Sequence, residues 1–305
     1  MSDSAKYDTV DYPQVDDLYR HFGPSPQPVQ VTFGALSHPG LVRANNQDHY
    51  LVVKRSRNRS ILLTNLPGEI VDREERVYVL AIADGMGGAA SGDLASATAL
   101  RNAFELGHST LKWVFKVTEQ EIHELKEQLE AILTLVHQGI RQRGLTDRKL
   151  AGMGTTLTGA YLIGLDALIA HIGDSRAYLF RTGTLHRLTR DHTLEQQMID
   201  AGLHGGPPGT RHVLTNCLGG NEQEVHVEFN HVLLHNGDRL LFCTDGLIDM
   251  VAEPMIAATL STHPDPQAAC GALIDCALQA GGKDNVTAVV ADFAVILPQP
   301  TSTVG

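Results

Sequence analysis

The sequence has few of the features that mark secreted, disulfide-stabilised or membrane-spanning proteins. It contains four cysteines, none in a C-x-x-C pair, so free thiols in a reducing compartment are expected in place of a disulfide or zinc framework. No apolar run approaches the roughly 18 residues of a membrane span. The polar, acidic first 19 residues do not resemble a secretory signal. These absences predict a cytoplasmic protein without a membrane anchor.

Basic charge is also scarce. The chain has 24 Lys and Arg residues against 35 Asp and Glu residues, a formal net charge of -11. Such a surface repels nucleic acid and anionic lipid, so neither is expected as a partner. The same acidity suits a protein that concentrates divalent cations. With 43% hydrophobic residues over 305 positions, the composition is that of an ordinary globular protein, in one large domain or two smaller ones.

Strand patterns dominate both ends of the chain, and helix patterns dominate its middle. Residues 1–28 are polar, acidic and proline-bearing, which predicts a flexible arm, and residues 298–305 form a short tail. Helices are predicted at 89–106, 119–143, 193–202 and 266–280, with Gly144 ending the second. Most strands connect by short turns, which favours antiparallel sheets with helices outside, an α+β layered fold. Strand patterns cover residues 29–33, 49–53, 77–83, 156–163, 167–172, 177–181, 185–188, 225–229, 239–244 and 286–295.

Six aspartates stand at a strand end or in a turn, most of them beside glycine or another small residue. A carboxylate at the end of a buried strand is held rigidly, and a neighbouring glycine lets the backbone approach a ligand closely. Several such carboxylates in one place would repel each other and would not all stay ionised without cations. The six are Asp48, Asp84, Asp174, Asp191, Asp245 and Asp284.

Oxygen ligands without histidine or thiolate favour Mg²⁺ or Mn²⁺ over zinc. Two such ions roughly 3.5–4 Å apart can share a bridging water and lower its pKa. The resulting hydroxide can attack phosphorus, while the metals and an arginine stabilise the developing charge. A single Asp-Gly is more often an ordinary turn, and that interpretation is kept for Asp191 and for Asp166. The joint occurrence of the motifs, not any one of them, carries the prediction.

The ordered set of motifs resembles the metal-dependent PPM, or protein phosphatase 2C-like, enzymes in their bacterial form. The resemblance runs from about residue 30 to residue 296, and every motif stands in the family's order. It implies hydrolysis of phosphoserine and phosphothreonine in proteins by a water or hydroxide that bridges two Mg²⁺ or Mn²⁺ ions. The motifs are VRANNQD at 42–48, DGMGG at 84–88, GTT at 154–156, GDSR at 173–176, DH at 191–192, DG at 245–246 and DNVT at 284–287.

The resemblance implies a single phosphatase domain at 29–297. Its fold would be two central antiparallel β-sheets packed as a sandwich and flanked by α-helices, in four layers. Asp48 and Asp245 resemble ligands on opposite sides of the two-metal centre, and Asp284 resembles the ligand near Asp245. Asp84 resembles the carboxylate that bridges both metals, and Gly85 the residue that offers its carbonyl oxygen.

Further roles are implied around this centre. Asp174 resembles the acidic residue that helps hold a more weakly bound third metal ion in bacterial relatives. Arg43 stands where the family places a phosphate-binding arginine, and a bidentate guanidinium suits a phosphate dianion; its alternative is a surface salt bridge. Two positions depart from the family pattern. Met86 stands where eukaryotic relatives often have a histidine that has been proposed as the general acid, and Gln47 stands where some relatives carry a glutamate.

Residues 203–220, which begin with Leu203 and end with Gly220, occupy the position of the family's flap, whose outer bounds are about 195–223. Loops beside a rigid site often choose substrates, so the flap is expected to select protein substrates more than to affect a small aryl phosphate.

Two alternatives stay open. The domain could be a catalytically silent module that binds phosphoproteins, although such a module would be expected to have lost one of the metal ligands. It could also be a phosphatase that controls a partner-switching or transcription regulator, with the helix predicted at 119–143 and a long, charged hairpin loop predicted at 54–76 as docking surfaces. The expected partners of the enzyme are phosphorylated proteins and a counterpart Ser/Thr kinase, and the expected oligomeric state is a monomer.

Overall fold

The computed structural model describes residues 29–57, 63, 75–87, 91–112, 117–203, 207 and 209–296. The predicted arm at 1–28, the tail at 298–305 and most of the predicted loop at 54–76 lie outside these residues. Strands β1 to β12 span Val29–His38, Asp48–Arg57, Glu75–Met86, Gly154–Thr155, Leu157–Ile163, Asp166–Ile172, Arg176–Arg181, Thr184–Arg187, Leu218–Gly219, Glu228–Leu233, Arg239–Cys243 and Val286–Val295.

The helices lie between and outside these strands. Two short 3₁₀ turns, Arg148–Leu150 and Thr210–His212, are also present. Among the described residues, no helix combines the length and the apolar composition that a membrane crossing needs. Helices α1 to α6 span Ser91–Thr110, Glu119–Thr146, Leu194–Asp200, Asp245–Ile248, Glu253–Thr262 and Pro266–Gln279.

The strands form two antiparallel sheets. The first has the order β1-β12-β11-β7-β8. The second has the order β10-β6-β5-β3-β4-β9, and β2 pairs with β3 beside this path. The sequence-based prediction of antiparallel pairing is therefore confirmed.

Alternation of side chains along the strands builds the layers. In β11, Leu240 and Phe242 belong to the cluster between the two sheets, whereas Leu241 and Cys243 belong to the cluster under α5 and α6. Strand β3 likewise presents one set of side chains to the first sheet and the other to α1 and α2. Both faces of each central strand are thus covered, and the order of layers is helices, sheet, sheet, helices. The predicted four-layer fold is confirmed.

Helix α2 differs from its prediction at the C-terminal end. It begins with a capping box between Thr118 and Glu121, but it continues through Gly144 to Thr146. A Cβ atom at Gly144 would lie 3.1 Å from the carbonyl oxygen of Leu150. The glycine therefore permits close packing of the turn that follows the helix, and it does not end the helix.

Three other predictions need correction. The strand predicted at 225–229 lies at Glu228–Leu233, where its register with β6 places it at the edge of the second sheet. The loop predicted at 54–76 is shorter, because β2 and β3 stay paired through Arg57 and Glu75. The bounds of helices α4 and α5 were not predicted, since Asp245-Gly246 was interpreted as a site motif at the end of a strand and α5 carries a proline in its first turn.

Candidate metal centre

Strand ends bring the predicted aspartates to one end of the sandwich. Asp48 begins β2 and Asp84 lies near the end of β3, and the antiparallel register pairs these two residues directly. Asp245 follows β11 and Asp284 precedes β12, two strands that are also paired. Each sheet therefore contributes two of the four carboxylates.

Asp48 is the most deeply buried of these carboxylates, with 4% of the residue exposed. Its Oδ2 accepts hydrogen bonds from Thr244 Oγ1 at 2.8 Å and from Thr287 Oγ1 at 2.7 Å. Its Oδ1 is buried and accepts no hydrogen bond from any residue that the structure describes. Burial raises the pKa of Asp48 to about 7, against the effect of the two threonines. A buried carboxylate oxygen that lacks a hydrogen-bond donor and lies beside other acids has the properties of a cation ligand.

The backbone of Asp84 is fixed on both sides. Its N–H donates to Thr156 Oγ1 at 3.0 Å, and its carbonyl oxygen accepts from Thr156 N at 2.9 Å and from Thr155 Oγ1 at 2.8 Å. Burial, followed by the charges of Asp48 and Asp245, raises the pKa of the Asp84 carboxyl well above its usual range. The carboxylate is thus held in place where ionisation needs a nearby positive charge.

Gly85 lies where a side chain cannot fit. A Cβ atom there would collide with the backbone of Gly92, at the start of α1. The Gly85 N–H donates to the carbonyl oxygen of Gln47 at 3.2 Å. The close approach of α1 to the end of β3 therefore explains the glycine.

Asp245 and Asp174 complete the acidic wall. Burial and then the charge of Asp284 raise the pKa of Asp245 to about 6. Asp174 follows Gly173, whose φ of 109° favours glycine, and only 9% of Asp174 is exposed. Burial and then the charge of Asp245 raise the pKa of Asp174 well above its usual range. These two carboxylates are consequently close enough to influence each other.

Arg43 and Asp284 form the outer rim. Arg43 Nη2 donates to Asp284 Oδ2 at 2.6 Å, and 58% of the arginine side chain is exposed. This hydrogen bond raises the pKa of Arg43. The salt bridge that was the alternative for Arg43 is therefore present, but its partner is a predicted metal ligand.

Asn285 fastens the loop that carries Arg43. Its Nδ2 donates to the carbonyl oxygens of Pro39 at 2.9 Å and Asn45 at 2.8 Å. Its Oδ1 accepts from Gln47 N at 2.8 Å. The asparagine of the DNVT motif thus holds residues 39–47 against the start of β12, a role that sequence analysis did not assign.

Sequence analysis also missed two residues at the cavity. Asp249 lies four residues after Asp245, and this helical spacing could have indicated a shared side. The 3₁₀ turn of the flap brings His212 Nε2 to 3.8 Å from Asp249 Oδ2 and His212 Nδ1 to 4.0 Å from Asp245 Oδ2. Arg211 forms an ion pair with Asp249. His212 lies within the predicted flap, but no sequence pattern singled it out from the other flap residues.

Asp191 and Asp166 stay outside the centre. Asp191 is bound by Arg176 and Arg187 in largely buried ion pairs. Asp166 begins β6 and accepts from His231 Nε2 at 2.8 Å. Both contacts agree with the structural roles predicted for these two aspartates.

An open cavity of about 590 Å³ connects the residues of the centre. Asp48 is buried next to Asp84, and its side chain is not part of the cavity wall. The wall combines a strongly acidic floor with arginines at its rim. Of the predicted site residues, Arg43, Asp84, Gly85, Asp174, Asp245 and Asp284 line it.

Comparison with known proteins gives the class of protein that this fold and site define. The chain is 33% identical over 268 residues to the serine/threonine protein phosphatase PstP of Mycobacterium tuberculosis, covering 86% of this chain and 45% of PstP. It is 32% identical over 255 residues to the protein phosphatase PhpP of Streptococcus pneumoniae, covering 83% of this chain and 93% of PhpP. The chain thus spans about half the length of PstP and almost all of PhpP.

The solved structures agree with this class. The catalytic domain of PstP in complex with two manganese ions superposes with a TM-score of 0.68 at 32% identity, covering 88% of this chain and 100% of that domain. The family profile described as protein phosphatase 2C matches residues 68–272. The chain therefore belongs to the protein phosphatase 2C family.

The family resemblance inferred from the motifs is confirmed. The two manganese ions of the PstP domain equal the predicted number of core ions. The roles of individual residues stay predictions.

Proposed function

We propose that this centre hydrolyses phosphoserine and phosphothreonine in proteins with two Mn²⁺ or Mg²⁺ ions. The observation that carries the proposal is the buried, unpartnered Oδ1 of Asp48 beside Asp84, with Asp245 and Asp284 supplied by the other sheet. Four carboxylates in this arrangement are electrostatically incomplete without cations.

The donor set fits hard divalent ions. Asp48, Asp84, Asp245 and Asp284 would supply carboxylate oxygens, and Gly85, which lines the cavity, would supply a backbone carbonyl oxygen. Oxygen-only donors of this kind suit Mg²⁺ and Mn²⁺. When bound, such ions activate a water for attack on phosphorus and neutralise charge on the phosphate.

Within the described part of the chain, Arg43 is placed to orient the phosphate. It lines the cavity mouth, and its hydrogen bond to Asp284 holds it over the acidic floor. A guanidinium can donate two hydrogen bonds to a phosphate dianion. Asn285 would support this role by keeping the Arg43 loop in position.

Asp174 is proposed as a ligand of a third, more weakly held ion. Its burial and the nearby charge of Asp245 support this role. Phosphorylated proteins are the substrate class that the family implies. A counterpart kinase, a monomeric state and a cytoplasmic location stay predictions from the sequence.

The decisive experiment measures turnover of phosphoserine, phosphothreonine and phosphotyrosine peptides with Mn²⁺, with Mg²⁺ and with excess chelator. We expect hydrolysis of the first two peptides, complete loss with chelator and recovery on adding metal. An anomalous-scattering map of Mn²⁺-soaked crystals should place ions beside Asp84. Turnover that survives chelation would contradict the proposal, and absence of turnover with bound Mn²⁺ would favour the silent module.

We propose that the flap, predicted at 203–220 within about 195–223, selects protein substrates. Residues 204–206 and 208 lie outside the described part of the chain, but Arg211, His212 and Leu214 line the cavity, which supports the proposal. Deleting residues 204–208 should lower kcat/KM for a phosphopeptide more than for p-nitrophenyl phosphate. Equal changes in both activities would contradict this role.

A further inference from the structure

We propose that Leu41 and Val42 form an apolar subsite beside Arg43, and that this subsite binds an apolar side chain next to the phosphorylated residue of a protein substrate. The preferred substrates are therefore phosphoserine or phosphothreonine segments with leucine, valine or a similar residue within about two positions of the phosphate. The inference rests on the proposed function, because it takes Arg43 to hold the phosphate. It adds a selective surface that lies outside the flap.

Leu41 and Val42 are exposed although both are apolar. Their exposed fractions are 65% and 68%, and the two residues directly precede Arg43 in the chain. Single exposed apolar residues are common on protein surfaces and need no explanation. This pair differs by its place, because it shares one short loop with the arginine proposed to bind phosphate. Apolar side chains at the edge of a binding cavity are placed to contact the ligand.

The backbone of this loop is fixed by the turn that precedes β12. The N–H of Leu41 donates to the carbonyl oxygen of Gly282 at 2.7 Å. Gly40 has a φ of 79°, and a Cβ atom there would lie 2.2 Å from the carbonyl oxygen of Asp284. The contacts of Asn285 described above add to these. The two apolar side chains are therefore exposed in a well-supported conformation, and such a preformed surface binds a ligand at a lower entropic cost.

The apolar pair and the guanidinium of Arg43 lie along this same turn. Leu41 packs on Gly282, where a Cβ atom would lie 3.0 Å from Leu41 Cγ. Arg43 donates to Asp284, two residues further along the chain. Lys283, between these two contacts, lines the cavity. The subsite is therefore directly beside the mouth of the cavity that contains the carboxylates.

A polypeptide substrate has to cross this surface. Consecutive Cα atoms are about 3.8 Å apart, so the nearest two residues on either side of a phosphoserine stay within about 8 Å of it. Val42 and Leu41 are at similar distances from Arg43 along their own chain. When Arg43 holds the phosphate, a residue next to the phosphoserine therefore comes to lie over the apolar pair. Leucine or valine at that place is removed from water, which favours binding.

The competing explanation is that charge at the rim, or the flap alone, selects the substrate. Arg43 and Arg211 both line the cavity, and selection by charge would favour acidic residues beside the phosphate. The two explanations predict different orders of preference among peptides that differ only in the residues next to the phosphate.

The experiment compares three phosphothreonine peptides that are identical except in the residues on each side of the phosphothreonine, which are leucine, serine or glutamate. Steady-state kinetics with saturating Mn²⁺ gives kcat and KM for each peptide. We expect kcat/KM of the full-length protein to be about 5–20-fold higher for the leucine peptide than for the serine peptide. In the double variant Leu41→Ser/Val42→Ser this ratio should fall to about 1, through a higher KM for the leucine peptide with little change in kcat.

Two further variants show whether the effect belongs to the subsite. The control Leu145→Ser changes a leucine of similar exposure, 66%, in the last turn of α2, and it should keep the preference for the leucine peptide. The variant Val42→Lys should gain a new preference, which damage to the loop would not produce. Its kcat/KM for the glutamate peptide should rise by about 3–10-fold relative to the leucine peptide.

The outcomes separate the subsite from the proposed function. Equal kcat/KM for the leucine and serine peptides would overturn the subsite, and so would a preference that survives in the double variant. A preference of the unchanged protein for the glutamate peptide would assign selection to the charges of the rim. All three results leave hydrolysis of phosphothreonine intact. Failure to hydrolyse any of the phosphopeptides would overturn the proposed function, and the subsite with it.

Discussion

The metal centre has a buried side, formed by Asp48 with its two threonines, and an exposed side, formed by Asp284 with Arg43. We call these the buried wall and the exposed wall, and they hold their carboxylates by different means. On the buried wall, Asp48 is held by the hydroxyls of Thr244 and Thr287. On the exposed wall, Asp284 is held by the guanidinium of Arg43. The threonine hydroxyls fix the position of the Asp48 carboxylate but leave its negative charge uncompensated. The guanidinium of Arg43 compensates the charge of Asp284, and solvent can reach it.

This difference separates two tasks. The buried wall leaves a charge deficit that only a cation can fill, so it should determine whether metal binds and how stable the fold is without it. The exposed wall already contains a positive group that a phosphate can attract away from Asp284, so it should determine how substrate binds. The following variants test this division, beginning with the largest expected effect.

Replacing Asp84 by asparagine removes the carboxylate that lies next to the buried wall and faces the cavity. Because both proposed ions would lose a shared negative ligand, we expect kcat for p-nitrophenyl phosphate with Mn²⁺ to fall by about 10²–10³-fold or more. Steady-state kinetics at saturating metal measures this. The matched change Asp166→Asn, at the first residue of β6, should leave kcat unchanged. Near-normal turnover of Asp84→Asn would remove the carboxylate centre from the mechanism.

Stability without metal should depend on pH through Asp48. Its pKa of about 7 in the fold lies above the ordinary value of about 3.9. The cation-free fold therefore binds more protons than the unfolded chain between about pH 4 and pH 7, and its free energy of unfolding falls as pH rises through that window.

Thermal unfolding in chelator at pH 5 and pH 8 tests this effect, which is on the order of a few kcal/mol. The variant Asp48→Asn should be more stable than wild type at pH 8 without metal and should lose most of the stabilisation by Mn²⁺. If the stability of wild type and of Asp48→Asn depended on pH in the same way, the Asp48 carboxyl would not be responsible for the loss of stability at high pH. Asp166→Asn again provides the control.

Removing Arg43 tests the exposed wall. A hydrogen bond to a charged group contributes about 1.5–3 kcal/mol, so Arg43→Ala should lower kcat/KM for a phosphopeptide by roughly 10–100-fold. Binding of Mn²⁺ should become tighter, because Asp284 loses its competing cation. Kinetics and calorimetric titration of Mn²⁺ measure the two effects. The control variant Arg101→Ala, at an exposed arginine of α1, should change neither quantity. Weaker Mn²⁺ binding in Arg43→Ala would show that Arg43 does not compete with the metal for Asp284.

The smallest effect is expected from the hydroxyls of the buried wall. Thr287→Val keeps the shape of the side chain but removes a hydrogen bond to Asp48 Oδ2. Loss of a group that orients a metal ligand typically weakens metal binding by about 10-fold or somewhat more. Mn²⁺ titration measures this, with Thr259→Val in α5 as a buried threonine outside the centre. Unchanged affinity would mean that the threonines serve folding alone.

The sequence predicted the buried wall better than the rim. The places of Asp48 and Asp84 in the fold were predictable because each belongs to a motif at the end of an apolar strand, and the structure pairs the two residues directly. The contacts of His212 with Asp245 and Asp249 could not be predicted, since they depend on where an irregular flap turn packs against a helix that the patterns did not indicate.

Local patterns also failed where tertiary packing decided the outcome. Gly144 resembles a helix end in sequence, but close contact with the following turn explains it better. The strand predicted at 225–229 was displaced along the chain because its pairing with β6, not its apolar content, sets its register. Edges and ends of elements were thus less predictable than the central strands.

The hydrogen bonds to Asp48 join residues 196 and 239 positions apart in the chain. Strand β1 also pairs with β12, so the first and last described strands lie side by side. During synthesis, the complete set of proposed metal ligands therefore cannot exist until the ribosome has released residue 284. Capture of the ions becomes a late event of folding, and the nascent chain stays inactive towards its surroundings until its final strand has docked.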